Sequence, residues 1–210
     1  MVIFMQKYTV TIARSFGSGG DEMGKELAKR LNIDYYDRDL IKLASEESGI
    51  NIELFGKADE TVKAGLFKKY DRSYGQNLIP PYSNDFTSDK NLFDYQAKII
   101  KQLSDRETCI IVGRCAGEIL RGRKNILRAF IHADRESCIA NVMEKYGLDR
   151  RSAEHQIDKV NHARNTYFKY YTGKEWNDAS NYDICLNITE LGFERAVDVL
   201  VNFIYMVYSD

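Results

Sequence analysis

Short runs of apolar and β-branched residues alternate along the chain with longer stretches of helical hydrophobic spacing, which is the pattern of an α/β protein. A continuous apolar run such as CIIV is typical of a parallel strand that is covered on both faces. The candidate strands are YTVTIA (8–13), a very short segment near Tyr35, CIIVG (109–113), ILRAFIHA (126–133) and YDICLN (182–187). The pattern therefore predicts a five-stranded parallel sheet with helices packed against it.

Three stripes of apolar residues at helical spacing predict helices between and after these strands. The first stripe is Met23, Leu27 and Leu31, the second is Leu92, Ala97, Ile100 and Leu103, and the last is Leu191, Val197, Leu200, Val201 and Ile204. Each stripe is wide enough to cover part of a sheet, so these helices are expected to form the outer layers.

Two stretches fit the sheet poorly. Residues 50–90 contain three glycines, the Pro80–Pro81 pair and the polar run SNDFTSDK, which favours helices joined by a long mobile loop. Residues 134–178 are charged, aromatic and helical in spacing, and they include the run YFKYYTGKEWND. Both stretches are expected to be inserted covers rather than parts of the sheet.

Composition and charge restrict the classes of function. The chain has 210 residues, 44% of them hydrophobic, and a formal net charge of −1, so no overall positive field attracts nucleic acid or an anionic membrane. The apolar run at 196–208 is interrupted by Asp198 and Asn202 and is shorter than the roughly 20 residues of a membrane span. We therefore expect no nucleic-acid partner, no membrane partner, and local sites for any anion.

The ends of the chain and its cysteines favour the cytoplasm. The N-terminal MVIFM is too short for the core of a signal peptide. Four cysteines, at positions 109, 115, 138 and 185, show no C-x-x-C spacing and no disulfide framework, and the three histidines have no metal-ligand spacing. Reduced, mostly packed thiols in a cytoplasmic protein are the expectation.

The stretch ARSFGSGGDEMGKELAKRL (13–31) places a glycine-rich turn between a buried strand and a helix. Such a turn directs backbone N–H groups and the helix dipole at an anion. The phosphate-binding motif G-x-x-x-x-G-K-[ST] would need Gly, Gly, Lys and Ser or Thr where this chain has Arg14, Gly19, Gly20 and Asp21. The alternative is a plain strand-to-helix connection in which Asp21 and Glu22 complement the helix dipole.

Six pieces in order resemble the cytidylate kinase-like family, which is similar to nucleoside monophosphate kinases of the P-loop fold. They are TIARSFGSGGDEMGKELAKRL, IDYYDRDLI, IIVGRCAGEIL, HADRESCIANV, IDKVNHARNTY and NYDICLN. The resemblance implies one three-layer domain over 1–210 that uses ATP and Mg²⁺. Its core would be about 6–49, 91–133 and 180–210, its acceptor-binding insertion about 50–90, and its closing lid about 134–178.

The resemblance also implies site residues. Gly17, Ser18, Gly19, Gly20 and Asp21 would form the loop around the donor phosphates. Asp37 would face the acceptor and the magnesium region, with a helix N-cap as its plain alternative. Arg114 would contact the acceptor phosphate at the carboxyl edge of the sheet, where a solvated surface arginine is the alternative.

Further site residues are implied in the lid run. Arg164 and Asn161 lie three residues apart on one helix face and would close over the transferred group, with Lys159 and Arg150 or Arg151 as helpers. A solvated charged face is the alternative reading of that run. Its aromatic residues, from Tyr167 to Trp176, could stack on a base, although packing within the lid is the more common role of such residues.

Two departures from the family pattern bear on chemistry. The loop lysine is missing, so local positive charge must come from Arg14 at the end of the strand or, as second choice, from Lys25. Cys115 stands where a cytidylate kinase usually has an acidic residue that reads the cytosine. The cysteine weakens the case for cytosine specificity.

The sequence thus favours a kinase that moves the γ-phosphoryl of ATP to a nucleoside monophosphate or another small acceptor, as a monomer or a homodimer. Arg14, Asp37, Arg114 and Arg164 are its candidate catalytic residues. The leading alternative is a non-catalytic protein that binds a nucleotide or a phosphoanion. A pure interaction module that uses the aromatic arm is the third.

Overall fold

The structure, a computed structural model, describes residues 6–60 and 73–208 and contains the five predicted strands. The strands are β1 (Thr9–Arg14), β2 (Asp34–Tyr36), β3 (Cys109–Val112), β4 (Ile126–His132) and β5 (Ile184–Asn187). The helices are α1 (Gly20–Leu31), α2 (Asp39–Ser48), α3 (Ile52–Glu60), α4 (Asp89–Arg106), α5 (Ala116–Ile119), α6 (Arg135–Tyr146), α7 (Arg150–Thr172) and α8 (Phe193–Tyr208), and a 3₁₀ turn spans Ala179–Asn181.

All pairings in the sheet are parallel, in the order β2-β3-β1-β4-β5. β1 is central, because Ile12 pairs with Val112 on one side and with Ala129 on the other. Since parallel strands end at the same edge, the segments that follow β1, β2 and β3 meet there. This edge carries the candidate site.

Apolar side chains alternate between the two faces of the sheet and form two cores. Ile110 and Val112 pack with α1 and α8 on one face, whereas Cys109 and Ile111 pack with α4 and the end of α7 on the other. The continuous apolar run CIIV is therefore fully buried, as expected for a strand between two helical layers. The predicted α/β class and three-layer arrangement are confirmed.

Two sequence predictions shift at the last strand and the last helix. β5 begins at Ile184 rather than at 182. Just before it, the amide of Asp183 donates to the carbonyl of Arg128, and the Asp183 carboxylate accepts from the backbone and side chain of Arg128. Leu191 lies in a turn before α8, although it still packs against the core that α8 covers.

The inserted stretches are helical over part of their described length. Residues 50–90 contribute α3 and a series of turns, while Gly65 lies outside the described residues. Residues 134–178 contribute α6 and the whole of α7, as the spacing predicted. None of the helices that the structure describes has both the length and the hydrophobicity that crossing a bilayer requires.

A buried asparagine holds the turns before α4. Asn91 is 0% exposed; its Oδ1 accepts from the amide of Ile79 at 2.8 Å, and its Nδ2 donates to the carbonyl oxygens of Phe86 at 2.7 Å and Ile79 at 3.3 Å. One side chain thus satisfies backbone groups on two turns. Since these groups lie away from solvent, their loss without replacement is costly.

We expect Asn91→Ala to lower the free energy of unfolding by about 2–3 kcal/mol, because it leaves buried backbone groups without partners. Urea denaturation measures the loss. Asn77→Ala is the matched control, since Asn77 is exposed and, among the described residues, its side chain bonds to the Ser73 hydroxyl alone. Equal losses in the two variants would contradict the proposed role of Asn91.

Candidate phosphate-binding site

The glycine-rich turn connects β1 to α1 at the carboxyl edge of the sheet. Gly19 caps α1 in the left-handed conformation, and no side chain caps the helix. Among the residues that the structure describes, the amides of Gly17, Gly19 and Asp21 donate to no protein acceptor, as expected for the first turn of a helix. Asp21 and Glu22 do not block these amides, so the turn can accept an anion.

Ser18 has an internal role in the turn. Its side chain is buried, and its hydroxyl donates to the carbonyl of Ser15 at 2.9 Å and accepts from the amide of Gly20 at 3.3 Å. The hydroxyl therefore fixes the curvature of the loop. The side chain of Ser18 therefore stabilises the loop, and it is not available to bind a ligand.

Gly17 is required by close packing against α6. Its φ is +82°, and an added Cβ would lie 2.7 Å from the carbonyl oxygen of Cys138. The side chain of Asn141, also on α6, donates to the carbonyl of Gly17 at 2.8 Å. The loop is thus pressed against α6, which the sequence did not reveal.

Two predicted lid residues contact the loop itself. Asn161 accepts from the amide of Phe16 at 2.8 Å, and Arg164 donates to the carbonyl of Arg14 at 2.8 Å. Both lie on one face of α7, as their spacing predicted. Burial, followed by the positive charge of Arg14, lowers the pKa of Arg164 to about 10, so the guanidinium stays charged at neutral pH.

Arg14 lies against the start of α1 and reaches toward β2. Its Nε is 2.6 Å from Asp21 Oδ1, and its Nη2 is 3.8 Å from Asp37 Oδ1. An added Cβ at Gly20 would lie 2.5 Å from the Cβ of Arg14. Lys25, the second candidate for the missing loop cation, is exposed and lies outside the buried face of α1.

Asp37 does not cap a helix with its side chain. Arg38 is the N-cap of α2, and no side chain bonds there. The carboxylate of Asp37 faces Arg14 instead. Beside it, the buried hydroxyl of Tyr35 has no hydrogen-bond partner among the described residues, and burial, followed by the charge of Asp37, raises its pKa.

Arg114 follows β3 in an unusual backbone conformation. Gly113, Arg114 and Cys115 have φ values of 77°, 52° and 58°, which are rare for residues with side chains. Consecutive left-handed residues store strain of the kind that often marks functional sites. The Nη1 of Arg114 donates to the buried side chain of Gln96 at 3.0 Å, and Gln96 was not anticipated from the sequence.

A cleft of about 1080 Å³ lies between α7 and the carboxyl edge of β1 and β3. Its charged lining comprises Arg14, Arg114, Arg151, Lys159 and Arg164 against Asp37 and Glu118. Glu118 is already paired with Arg121 and Lys174. The cleft is therefore positive although the chain as a whole is nearly neutral, and it has room for a small molecule.

The proposed helpers and aromatic residues divide between cleft and surface. Arg151 and Lys159 line the cleft, whereas Arg150 pairs with Glu136 and Glu154 on the surface. Tyr171 stacks on Phe93 with ring centroids 3.8 Å apart. Phe168, Tyr171 and Trp176 are buried in the core on the α4 side of the sheet, as the packing alternative predicted. Tyr167, Phe168 and Trp176 also line the cleft.

Sequence reasoning missed one cation. Lys145, near the end of α6, pairs with Glu22, and this bond raises the pKa of Lys145. It lies close enough to Asp21 to feel its charge. No local motif marks Lys145, because only the packing of α6 on the loop brings it there.

Comparison with known proteins agrees with the fold. The model of the cytidylate kinase-like family matches residues 9–190. An uncharacterized protein from Eubacterium ventriosum ATCC 27560 is similar in structure, with 28% identity, a TM-score of 0.68, and coverage of 94% of this chain and 98% of that chain. No curated protein matches the chain by sequence.

Two shikimate kinases share the fold at low identity. The enzyme from Bacteroides thetaiotaomicron has a TM-score of 0.52 and 12% identity, with coverage of 93% of this chain and 97% of that one. The enzyme from Acinetobacter baumannii, solved in complex with shikimate, has a TM-score of 0.50 and 10% identity, with coverage of 97% and 94%. These likenesses support a P-loop kinase fold.

We expect sulfate to bind the free amides of the turn and to raise the melting temperature. At one hundred times its dissociation constant it would add about 2.7 kcal/mol of stability. Because the pKa of Arg164 is about 10, this guanidinium is charged at both pH 6.5 and pH 8.5, and its contribution to the shift should be the same at both. Sodium chloride at matched ionic strength is the control, and an equal effect of chloride would refute a specific anion site.

Proposed function

The chain belongs to the cytidylate kinase-like family, and from this premise we propose that it transfers the γ-phosphoryl group of ATP to a nucleoside monophosphate or another small anionic acceptor. The observation that carries the proposal is a glycine turn whose amides at Gly17, Gly19 and Asp21 have no acceptor among the described residues. This turn directly follows Arg14, which is one of the five basic side chains that line the cleft. In-line transfer of a phosphoryl group needs positioning and charge stabilisation rather than a covalent intermediate.

The donor side of the site is the turn before α1. Its free amides and the helix dipole suit the phosphates of a nucleotide. A lysine at position 20 is excluded while Arg14 keeps its place, because the two Cβ atoms would be 2.5 Å apart. The proposal therefore assigns the positive charge of the missing lysine to Arg14, which starts beside the same position.

The acceptor side is the cleft beyond Arg14. Arg114, which is held by Gln96, lines the cleft, and Arg151 and Lys159 line it from α7. Arginine suits phosphate because its planar fork donates two parallel hydrogen bonds. This set of charges favours an acceptor that already carries a phosphate or another anionic group.

The lid supports the transfer step. Arg164 and Asn161 lie at the boundary between the turn and the cleft, and they bind the backbone on either side of Ser15. A cation held there stabilises charge on a group that passes from donor to acceptor, and the helix above it excludes water. These two residues are proposed to position the loop as well as the substrate.

The expected cofactor Mg²⁺ does not find its usual protein ligand in this site. A hydroxyl at position 21 would be its usual protein ligand, but Asp21 stands there and its carboxylate is bound to Arg14. In the part of the chain that the structure describes, no group of three or more acidic, histidine or cysteine side chains could hold a metal. We therefore derive no step from a metal held by this chain.

A non-catalytic nucleotide-binding protein is the second candidate. The ion pairs of Arg14 with two carboxylates and the occupation of the Phe16 amide by Asn161 favour it, because both contacts use groups that a donor phosphate would need. A phosphate-transfer assay over a panel of acceptors distinguishes the two functions. Nucleotide binding without transfer to any acceptor would support the second.

We expect weak discrimination among cytidine, uridine and adenosine monophosphates. Cys115 lines the cleft where an acid would read the cytosine, and a thiol is a weaker hydrogen-bond acceptor than a carboxylate. Values of kcat/KM for the three acceptors measure this preference. Cys115→Asp should raise the preference for cytidine on the order of tenfold, whereas Cys115→Ser should not. A strong preference in the wild-type protein would mean that another residue reads the base.

We expect Arg14→Ala to lower turnover on the order of a thousandfold, as for other arginines that stabilise charge in phosphoryl transfer. Arg14→Lys should restore part of the loss, since it keeps the charge without the planar fork. Single-turnover rates measure both effects, and circular dichroism confirms that each variant is folded. Near-normal transfer by Arg14→Ala would exclude Arg14 as the replacement for the lysine.

A further inference from the structure

We propose that the guanidinium of Arg14 is the built-in cation of the carboxylates of Asp21 and Asp37, and that it holds the position between them that a divalent metal would otherwise take. The chain itself then binds no metal at this point. The inference deepens the proposed function, because it concerns the same loop, but its test measures metal binding rather than turnover.

The contacts of Arg14 surround its guanidinium on three sides. Nε lies 2.6 Å from Asp21 Oδ1, Nη2 lies 3.8 Å from Asp37 Oδ1, and Nη1 lies against the backbone of Gly113, where an added Cβ would be 2.6 Å away. The side chain of Arg14 is only 13% exposed. Arg164 holds the carbonyl of the same residue, so the backbone and the head group of Arg14 are both fixed.

Arg14 fits beside the loop because the residue at position 20 is glycine. The phosphate-binding motif has glycine at its first position and a long cation at its seventh. This chain has the reverse, Arg14 and Gly20, and the Cβ atoms of two side chains at these positions would collide at 2.5 Å. Compared with the motif, the cationic side chain is therefore on the last residue of the strand rather than on the first residue of the helix, and it extends toward β2.

From the strand, the cation reaches the carboxylates that face the edge of the sheet. Asp21 occupies the position of the hydroxyl that ligates Mg²⁺ in the motif, and Asp37 follows β2 on the other side. Mg²⁺ and Mn²⁺ favour oxygen ligands and are commonly held through one or two carboxylates. A bound guanidinium competes for the same oxygens, so the ligand set disagrees with a metal held by the protein.

Removal of the guanidinium makes a measurable difference. Asp21 and Asp37 would then be two partly buried carboxylates without a counter-charge, and their mutual repulsion would favour a divalent cation. Lysine at position 14 keeps a positive charge near them and should exclude the metal. The proposal thus predicts opposite results for a neutral and a charged replacement of Arg14.

The experiment titrates Mn²⁺ alone, without nucleotide, and follows bound metal by electron paramagnetic resonance. We expect Arg14→Gln and Arg14→Ala to bind one Mn²⁺ at least tenfold more tightly than the wild-type protein. Arg14→Lys should behave like the wild type, and the double variant Arg14→Gln/Asp37→Asn should lose the gained site. Thermal unfolding verifies that each protein is folded, and the glutamine variant keeps part of the side-chain volume if the alanine variant is unstable.

Two results would overturn the proposal. One is a wild-type protein that binds Mn²⁺ as tightly as Arg14→Gln and loses it in Asp37→Asn, since the guanidinium would then exclude nothing. The other is the absence of a gained site in both neutral variants, since the carboxylates would then form no cation position. A chain that transfers no phosphate but shows the expected metal pattern would refute the kinase function and leave this inference standing.

Discussion

Parallel pairing of β1 with β3 on one side and β4 on the other is the constraint on which the site depends. It brings the carboxyl ends of β1, β2 and β3 to one edge of the sheet, within reach of long side chains from each. Arg14, Asp37 and Arg114 are distant in sequence and face the same cleft only because of this register. The two helical layers stabilise the sheet and leave that edge open to the inserted segments.

The glycine turn also contacts the inserted helices α6 and α7. Gly17 touches the backbone of α6, and Asn161 and Arg164 of α7 bind the backbone on either side of Ser15. A small cluster that includes Cys138, Val142 and Phe16 adds apolar contact between α6 and the loop. The loop therefore has direct contacts with both α6 and α7.

The electrostatics of this edge differ from those of the whole molecule. A chain with a formal net charge of −1 concentrates five basic side chains in one cleft, while many of its other charges form ion pairs on the surface. Burial, followed by the positive charge of Arg14, lowers the pKa of Arg164. A bound anion stabilises such a site, because it relieves the electrostatic repulsion between the arginines.

Local sequence determined the strands, most helices and the glycine turn, because hydrophobic period and glycine spacing are properties of neighbouring residues. The resemblance to the cytidylate kinase-like family indicated Asp37, Arg114 and Arg164 as candidates, and the missing loop lysine indicated Arg14. Tertiary structure alone decided which groups they meet. The pairing of Arg14 with Asp21 and Asp37, the support of Arg114 by Gln96 and the approach of Lys145 to Glu22 all join segments whose separation is set by strand register and helix packing. No local pattern encodes such contacts, because their distances exist only once the sheet has formed and the helices have packed on it.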